Sequence, residues 1–190
     1  MTIVIFVLRN HNKLMVIVLD NIRSLFNVGS IFRTADAVGA EKIYLCGITP
    51  IPEDRFGRIR PQLAKVSLGA EKTVAWEYVK STSKLIDKLK KGKYKILVVE
   101  QDKKSIPYYK VNPPAGGKKI DLEKVAIVFG NEVEGISKNI LKKADKILEI
   151  PMRGAMVRQA HHPRYLHRGK ESLNVSVSAG IVLFGIKYKK

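Results

Sequence analysis

The amino-acid sequence predicts an α/β fold: a mainly parallel sheet with helices on both of its faces. Short runs rich in β-branched residues alternate along the chain with segments whose apolar residues follow helical spacing. Several of these runs are apolar at successive positions, as expected for strands that are covered on both faces. With 190 residues, of which 45% are hydrophobic, the chain is long enough to form one domain with a substantial core.

Five short apolar runs are predicted as strands, and they span residues 16–19, 42–46, 94–99, 125–129 and 146–150. The first of them directly follows Met15. We therefore expect residues 15–190 to form the domain. Residues 1–14 would be an N-terminal extension, which is either an extra strand or a misassigned start of translation.

Four helices are predicted between and after the strands. The first begins at Asn27, a good N-cap residue, and ends at Gly39, and its apolar residues follow helical spacing. A basic amphipathic helix covers residues 83–91, and apolar spacing marks further helices at 136–144 and 173–184. The segments 47–61 and 106–119 are predicted as long loops, and long ordered loops are often functional.

The chain is strongly basic, because 35 lysines and arginines stand against 17 aspartates and glutamates, for a formal charge of +18. A single domain of this charge usually binds a polyanion, and nucleic acid is the first candidate. The alternative is a lysine-rich surface that is merely solvated. Part of the charge lies in the loop 47–61, which contains Arg55, Arg58 and Arg60.

Several classes of protein are disfavoured by what the sequence lacks. A lone cysteine, Cys46, excludes an internal disulfide and a cysteine-based zinc site, and its apolar surroundings predict a core position. No apolar stretch approaches the ~20 residues of a membrane span. No signal peptide is evident, so we expect a cytoplasmic protein. The common dinucleotide and nucleoside triphosphate motifs are absent, and no metal is expected.

Three clusters of polar residues and glycines are candidates for chemistry. In residues 21–35, Arg33 lies beside apolar positions of the first helix, where an arginine is costly unless it meets an anion, and Asn27 lies at the helix start, a natural phosphate site. A plain helix cap and a rim ion pair are the structural alternatives. In residues 129–136, Gly130 lets a ligand approach the backbone and Glu132 supplies a carboxylate at the sheet edge, although a tight turn would explain both.

The third cluster lies near the end of the chain. The run Ile-Pro-Met-Arg-Gly at 150–154 ends an apolar strand, and Lys-Glu-Ser-Leu-Asn-Val-Ser at 170–176 opens the last helix. Ser172 and Asn174 flank Leu173 there and offer side-chain and backbone hydrogen bonds. In α/β proteins, loops of this kind at the carboxyl ends of strands build ligand pockets.

In this order, the motifs N-x-G-x-x-x-R-T-A, F-G-N-E-x-x-G-I and I-P-M…S-L-N-V-S-x-A-x-G-I resemble those of the SpoU (TrmH-like) branch of the SPOUT RNA methyltransferases. The resemblance runs from about residue 15 to residue 185. It implies an α/β fold with a C-terminal trefoil knot, a homodimer, and S-adenosylmethionine as the methyl donor. The reaction it implies is methyl transfer to a ribose 2′-hydroxyl of tRNA or rRNA, with tRNA slightly favoured because the chain is compact.

Roles for individual residues follow from the same resemblance. The catalytic group would comprise Asn27, Arg33, Glu132, Ser172 and Asn174. The donor would contact Gly130, Ile150, Met152 and Leu173. We interpret Arg33 as a phosphate clamp that also stabilises the developing alkoxide, because a guanidinium is too weak an acid to serve as the base. RNA would bind to Arg33 and to the basic loop, through Arg55, Arg58 and Arg60.

One segment interrupts the family pattern. Deleting residues 155–169 would restore the continuous motif Ile-Pro-Met-Arg-Gly-Lys-Glu-Ser-Leu-Asn, and an Arg-Gly pair stands at 153–154 and again at 168–169. We interpret the segment as an insertion that bulges outward from a knot loop, since closure entropy grows slowly with loop length. If it entered the pocket instead, the protein would be a catalytically inactive, knot-fold RNA-binding protein. A Rossmann-type small-molecule enzyme is the weakest alternative.

Overall fold

The computed structural model describes residues 14–111, 122–152 and 172–188. Within them seven strands form one parallel sheet with the order β3-β2-β1-β6-β4-β7-β5. The strands are β1 Leu14–Asp20, β2 Lys42–Cys46, β3 Ala75–Val79, β4 Lys95–Val99, β5 Ile106–Pro107, β6 Lys124–Phe129 and β7 Lys146–Glu149. The predicted parallel sheet is confirmed.

Six α-helices lie in the described residues, together with a short 3-10 helix at Tyr108–Lys110. They are α1 Leu25–Val38, α2 Pro61–Ser67, α3 Ala70–Thr73, α4 Thr82–Lys91, α5 Lys138–Lys143 and α6 Val175–Lys187. Residues of α1, α2, α3 and α6 share one hydrophobic cluster, and residues of α4 and α5 share another. The helices therefore cover both faces of the sheet, as predicted.

Strand β1 is apolar at every position except its last, Asp20, because both of its faces are covered. Met15, Ile17 and Leu19 belong to the cluster beneath α1 and α6, whereas Val16 and Val18 belong to the cluster beneath α4 and α5. Successive side chains of a strand point to opposite faces, so a central strand with two covered faces needs apolar residues throughout. β6 lies beside β1 and β4 lies beside β6, and each of these two strands is buried over most of its length.

The start of α1 differs from the prediction. Ser24, not Asn27, is the N-cap: its side-chain oxygen accepts a hydrogen bond from the backbone N–H of Asn27 at 3.2 Å. Asn27 therefore lies inside the first turn, and its side chain is available for other partners. The other end is as predicted, because Gly39 ends the helix in the left-handed conformation with φ 66°.

Two strands and two short helices were not predicted. β3 is at the sheet edge and carries an ion pair between Glu77 and Lys42 of β2, with 2.7 Å between the charged atoms, so its apolar pattern is interrupted. β5 has only two residues, and α2 and α3 follow the basic loop as short segments. Such short or marginal elements have weak periodicity.

Cys46 is fully buried at the end of β2, as predicted, and burial raises the pKa of its thiol to about 12. Such a thiol is not a nucleophile at neutral pH. Several predictions fall on residues 1–13 and 153–171, which lie outside the described residues: the N-terminal extension, the insertion at 155–169 and the loop that would complete a knot.

Candidate active site

A cavity of about 810 Å³ opens at the carboxyl edge of the sheet. The ends of β4, β6 and β7 and the loops after them line it, together with α5 and the start of α6; the lining residues fall within 99–102, 129–141, 148–152 and 172–178. All strands are parallel, so their carboxyl ends meet at this one edge, the usual place for a ligand in such sheets. The volume lies within the range typical of small-molecule and cofactor sites.

The structure brings together all four residues predicted to contact a donor. Gly130 follows β6, Ile150 and Met152 follow β7, and Leu173 precedes α6, and each lines the cavity. Gly130 is also required for packing within the protein, because a Cβ there would overlap the side chain of Ile136 and lie 3.0 Å from the carbonyl carbon of Gly135. The glycine therefore allows the loop after β6 to fold tightly against the end of its own strand.

The lining of this cavity is acidic, although the chain as a whole is strongly basic. Among the described residues it has one basic side chain, that of Lys138, and five carboxylates: Glu100, Asp102, Glu132, Glu134 and Glu149. The lining is unsuited to a polyanion and favours a ligand that carries positive charge.

The predicted catalytic residues from three distant segments are joined by hydrogen bonds. The amide nitrogen of Asn27 donates to Oε1 of Glu132 at 2.9 Å, and the amide nitrogen of Asn174 donates to Oδ1 of Asn27 at 3.1 Å. Asn174 in turn caps α6, since its Oδ1 accepts from the backbone N–H of Ser176 at 2.8 Å. Ser172 lines the adjacent cavity. We call the chain Glu132–Asn27–Asn174 the motif bridge.

Glu132 is held as a carboxylate. Burial acts to raise its pKa, but hydrogen bonds from the Asn27 side chain and from the backbone, including that of Arg23, outweigh burial and lower the pKa below its usual value. The Arg23 N–H donates to Oε2 of Glu132 at 3.1 Å. A carboxylate with a lowered pKa is a poor proton acceptor at neutral pH, so the geometry suits it for holding Asn27 in place.

Two asparagines that the sequence did not single out position this carboxylate. Asn131 accepts hydrogen bonds from the N–H groups of Val133 and Glu134 at 2.8 and 3.0 Å. Its own amide donates to the carbonyl of Asn21 at 2.9 Å. Asn21 has φ 58°, a conformation that asparagine tolerates better than most residues. The Asn within F-G-N-E was the available signal for Asn131.

Glu100 was also missed by the sequence analysis. It follows β4, lines the cavity, and accepts hydrogen bonds at 2.9 Å from the backbone N–H groups of Ile136 and Gln101. It thus ties the loop after β6 to the end of the neighbouring strand. A single acidic residue after an apolar run is common in α/β proteins, and its partners are too far along the chain for spacing to reveal.

Arg33 is not joined to this site within one chain. Its side chain is exposed on α1, and among the described residues it has no hydrogen bond or ion pair and does not line the cavity. The expectation that it lies at the costly edge of a buried face is wrong, because the buried positions around it are filled by Ile31, Phe32 and Ala35. An exposed guanidinium remains available to an anion from outside.

The three arginines of the basic loop have different surroundings. Arg55 and Arg58 are exposed, whereas Arg60 is half-buried and its Nε donates to the carbonyl of Glu53 at 3.0 Å. Arg60 therefore has a structural contact that the other two lack. In the described part of the chain, no group of three or more metal-ligating side chains occurs and no helix is long and apolar enough to cross a membrane.

The chain is similar to known proteins over most of its length. It is 29% identical over 170 residues to the 23S rRNA (guanosine-2′-O-)-methyltransferase RlmB of Neisseria meningitidis serogroup B. The aligned residues are 89% of this chain and 56% of that protein. The curated relatives it matches are longer, and the chain spans about three-fifths of their length.

Solved structures agree with this relationship. The TrmH/SpoU tRNA modifying enzyme of A. aeolicus superposes with a TM-score of 0.69 at 26% identity, covering 93% of this chain and 75% of that one. The AdoMet-bound rRNA methyltransferase of Sinorhizobium meliloti has a TM-score of 0.71 over 93% of this chain and 57% of that one, and at 22% identity it shows the fold alone. The model of the SpoU rRNA Methylase family matches residues 14–158. The chain therefore belongs to the SpoU rRNA methylase family.

Proposed function

We propose that this protein transfers a methyl group from S-adenosylmethionine to a ribose 2′-hydroxyl of structured RNA. The observation that carries the proposal is the motif bridge. It joins Asn27 to Glu132, which is 105 positions further along the chain, and to Asn174, which is 147 positions further along. These three residues meet at the rim of one cavity. A hydrogen-bonded set of Asn and Glu side chains beside a ligand-sized cavity is suited to positioning two reactants.

The cavity fits the methyl donor chemically. S-adenosylmethionine carries a sulfonium, an ammonium and one carboxylate group, and the five carboxylates among the described lining residues complement its net positive charge. Gly130, Ile150, Met152 and Leu173 would contact it, and the Sinorhizobium neighbour is an AdoMet-bound structure. When bound, this group would supply an activated methyl on a sulfonium sulfur.

The residues of the chain would act mainly by positioning. Holding the hydroxyl and the methyl in line accounts for much of the rate in such a displacement. In this proposal the motif bridge fixes the start of α1 and the start of α6, and Ser172 faces the same cavity. Arg33, exposed and without a partner among the described residues, would hold an RNA phosphate and stabilise developing negative charge. The lowered pKa of Glu132 makes it unsuited as the base.

The proposal includes the finer features that the family suggests. Residues 15–190 would form one methyltransferase domain with a C-terminal trefoil knot, and residues 155–169 would form an outward loop. The protein would act as a homodimer, supported by apolar side chains of α1 and α6 that are about half exposed: Phe26, Val177 and Phe184. A cytoplasmic location stays a prediction.

The RNA class is part of the proposal. The names of the relatives include both a 23S rRNA methyltransferase and a tRNA modifying enzyme, so both classes are substrates to test, with tRNA first. An inactive RNA-binding protein is the second candidate, favoured by the interruption of the third motif at residues 155–169. Donor binding separates the two candidates.

The test is a methyl-transfer assay with labelled S-adenosylmethionine and either bulk tRNA or rRNA, followed by nuclease digestion to detect 2′-O-methylated nucleosides. Asn27→Ala removes the centre of the motif bridge and is expected to lower kcat about 100-fold or more, because misplacement of about 1 Å can cost that much. Asn139→Ala is the matched control, since its amide lies on α5 and its bond to Ser83 at 3.4 Å is remote from the motif bridge. Equal activity of the two variants would contradict the proposal.

A further inference from the structure

The basic loop contains an ordered hairpin at residues 53–59. Glu53 and Ile59 form an antiparallel bridge, and the N–H of Asp54 donates to the carbonyl of Arg58 at 2.8 Å. The turn at the tip is closed by the Gly57 N–H, which donates to the Asp54 carbonyl at 3.0 Å. Gly57 has φ 75°, so the tip needs glycine at this position.

At the tip of the hairpin, two arginines lie against an exposed aromatic ring. Phe56 is 63% exposed, and the guanidinium carbons of Arg55 and Arg58 lie 4.7 and 5.2 Å from its ring centre. Cation–π attraction of this kind holds a guanidinium near a ring. The result is a cluster of one aromatic ring and two guanidiniums that the described residues leave exposed.

Neither guanidinium makes an ion pair with a described residue. Oδ1 of Asp54 accepts hydrogen bonds from the backbone N–H groups of Phe56 and Arg58 at 2.8 and 3.0 Å, so this carboxylate holds the turn of the hairpin. Arg60 and Asp54 therefore build the hairpin, while Arg55, Phe56 and Arg58 are displayed by it.

The hairpin is anchored to the edge of the sheet where the proposed active site lies. It follows β2, whose carboxyl end is on the same edge as the cavity. At the base of the loop, the buried hydroxyl of Thr49 donates to the Leu19 carbonyl and accepts from the Ile22 N–H, each at 3.0 Å. Only β1 separates β2 from β6, a distance of about 10 Å between the two strands.

We propose that the hairpin tip binds an unpaired nucleotide of the RNA substrate, with its base stacked on the surface formed by Phe56 and the two guanidiniums and its phosphates near Arg55 and Arg58. The inference rests on the proposed function for the identity of the ligand as RNA. Single-stranded RNA suits the tip because its bases have open faces, which stack on aromatic rings and arginine planes. A duplex offers phosphates but no free base face.

The experiment compares two fluorescein-labelled RNAs by anisotropy: a stem closed by a loop of unpaired nucleotides, and a blunt duplex of the same stem sequence. Phe56→Leu keeps an apolar side chain but removes the ring, and it is expected to weaken binding of the loop RNA about 5- to 100-fold while changing duplex binding less than about twofold. Phe56→Trp should bind the loop RNA like the parent protein, and RNA should quench its added tryptophan.

The double substitution Arg55→Gln with Arg58→Gln separates charge from stacking. It is expected to lower the affinity for both RNAs. For the loop RNA, it should also reduce the slope of log affinity against log salt concentration by about 0.7 per lost phosphate contact. Ile48→Ala is the matched control, because Ile48 is a 66% exposed apolar residue of the same loop outside the hairpin, and no change in the affinity for either RNA is expected.

Two results would overturn the inference. In the first, Phe56→Leu binds the loop RNA as tightly as the parent protein does. In the second, the substitution lowers the affinity for the loop RNA and for the duplex by the same factor. Failure of the proposed function would look different. In that case calorimetry would detect no S-adenosylmethionine binding, while discrimination between the two RNAs by Phe56 would persist. A variant with unchanged donor binding and unchanged RNA affinity would reject the hairpin site and leave the proposed function standing.

Discussion

The carboxyl edge of the sheet has two regions of opposite charge. Around the ends of β4, β6 and β7, the described residues line a cavity with five carboxylates and one lysine. Beyond β1, the hairpin after β2 displays Arg55 and Arg58 to solvent. The motif bridge lies where the two regions meet, since it joins α1, which follows β1, to the loop after β6.

The net charge of the chain therefore predicts a polyanionic ligand but not the cationic ligand that the acidic cavity favours. A formal charge of +18 indicates a polyanionic partner, and the proposed RNA-binding hairpin is one part of that basic surface. The acidic cavity is compatible with a small cationic donor, and it would repel RNA phosphates from the donor site. We therefore assign the proposed RNA and the proposed methyl donor to different places along the carboxyl edge of the sheet.

The largest expected effect comes from Gly130→Ala, which alters the wall of the acidic region. The new Cβ would overlap Ile136 and press against the backbone of Gly135, so the loop after β6 must shift, at a cost of about 1–3 kcal/mol in the free energy of unfolding. Donor affinity measured by calorimetry is expected to fall about tenfold or more.

Gly180→Ala is the control for that substitution. Gly180 lies within α6, and within one chain a Cβ there would meet nothing within 4 Å. Because Val177 and Phe184 of the proposed dimer face lie three and four residues away, the two variants are compared at a concentration where both have the oligomeric state of the parent protein. The change should leave donor affinity intact and raise the free energy of unfolding by roughly 0.5–1 kcal/mol through helix propensity. Loss of donor binding in Gly180→Ala alone would show that the tight loop after β6 is not what shapes the cavity.

A smaller effect is expected from Glu134→Gln, which removes one negative charge from the cavity lining without changing side-chain shape. If the acidic region recognises the sulfonium charge, affinity should fall about two- to fivefold for S-adenosylmethionine and less for S-adenosylhomocysteine, whose sulfur is neutral. Glu41→Gln, at the opposite end of the neighbouring strands, is the control. Equal losses for both ligands would mean that charge does not explain the acidic lining.

The smallest effect concerns pH and the meeting point of the two regions. Glu132 has a folded-state pKa below the ordinary value of 4.5, so its contribution to stability is present above pH 4.5 and is lost as pH falls through the folded pKa. The difference in unfolding free energy between the parent protein and Glu132→Gln should therefore keep its neutral-pH value down to about pH 5 and shrink as the pH falls further below 4.5. Urea titrations at several pH values measure it, and a constant difference would contradict this account of the carboxylate.

The fold was predictable where strands are buried on both faces. β2 was predicted with its observed bounds, and β1, β4, β6 and β7 to within two residues at each end, because their apolar runs are long and continuous. β3 was missed because it lies at the edge of the sheet, where its side chains are less buried, and because Glu77 interrupts its apolar pattern.

The site was predictable as a set of motifs but not as a set of contacts. Asn27 was interpreted as a helix cap, yet Ser24 takes that role and leaves the Asn27 side chain to Glu132 and Asn174. Two good capping residues three positions apart cannot be ranked from local sequence, since their distant partners decide. The sequence could not reveal the acidic cavity for a related reason, because its carboxylates come from three separate segments: the loop after β4, the loop after β6 and the end of β7.

The most direct test of the central claim is calorimetric titration of the full chain with S-adenosylmethionine, beside a variant that lacks residues 155–169. Our account predicts one site per chain in both proteins, with the affinity of the full chain reduced in Gly130→Ala. Binding to the shortened protein alone would show that the inserted segment has disabled the donor site and would favour the inactive RNA-binding protein. Absence of binding to both folded proteins would contradict the assignment of the acidic cavity.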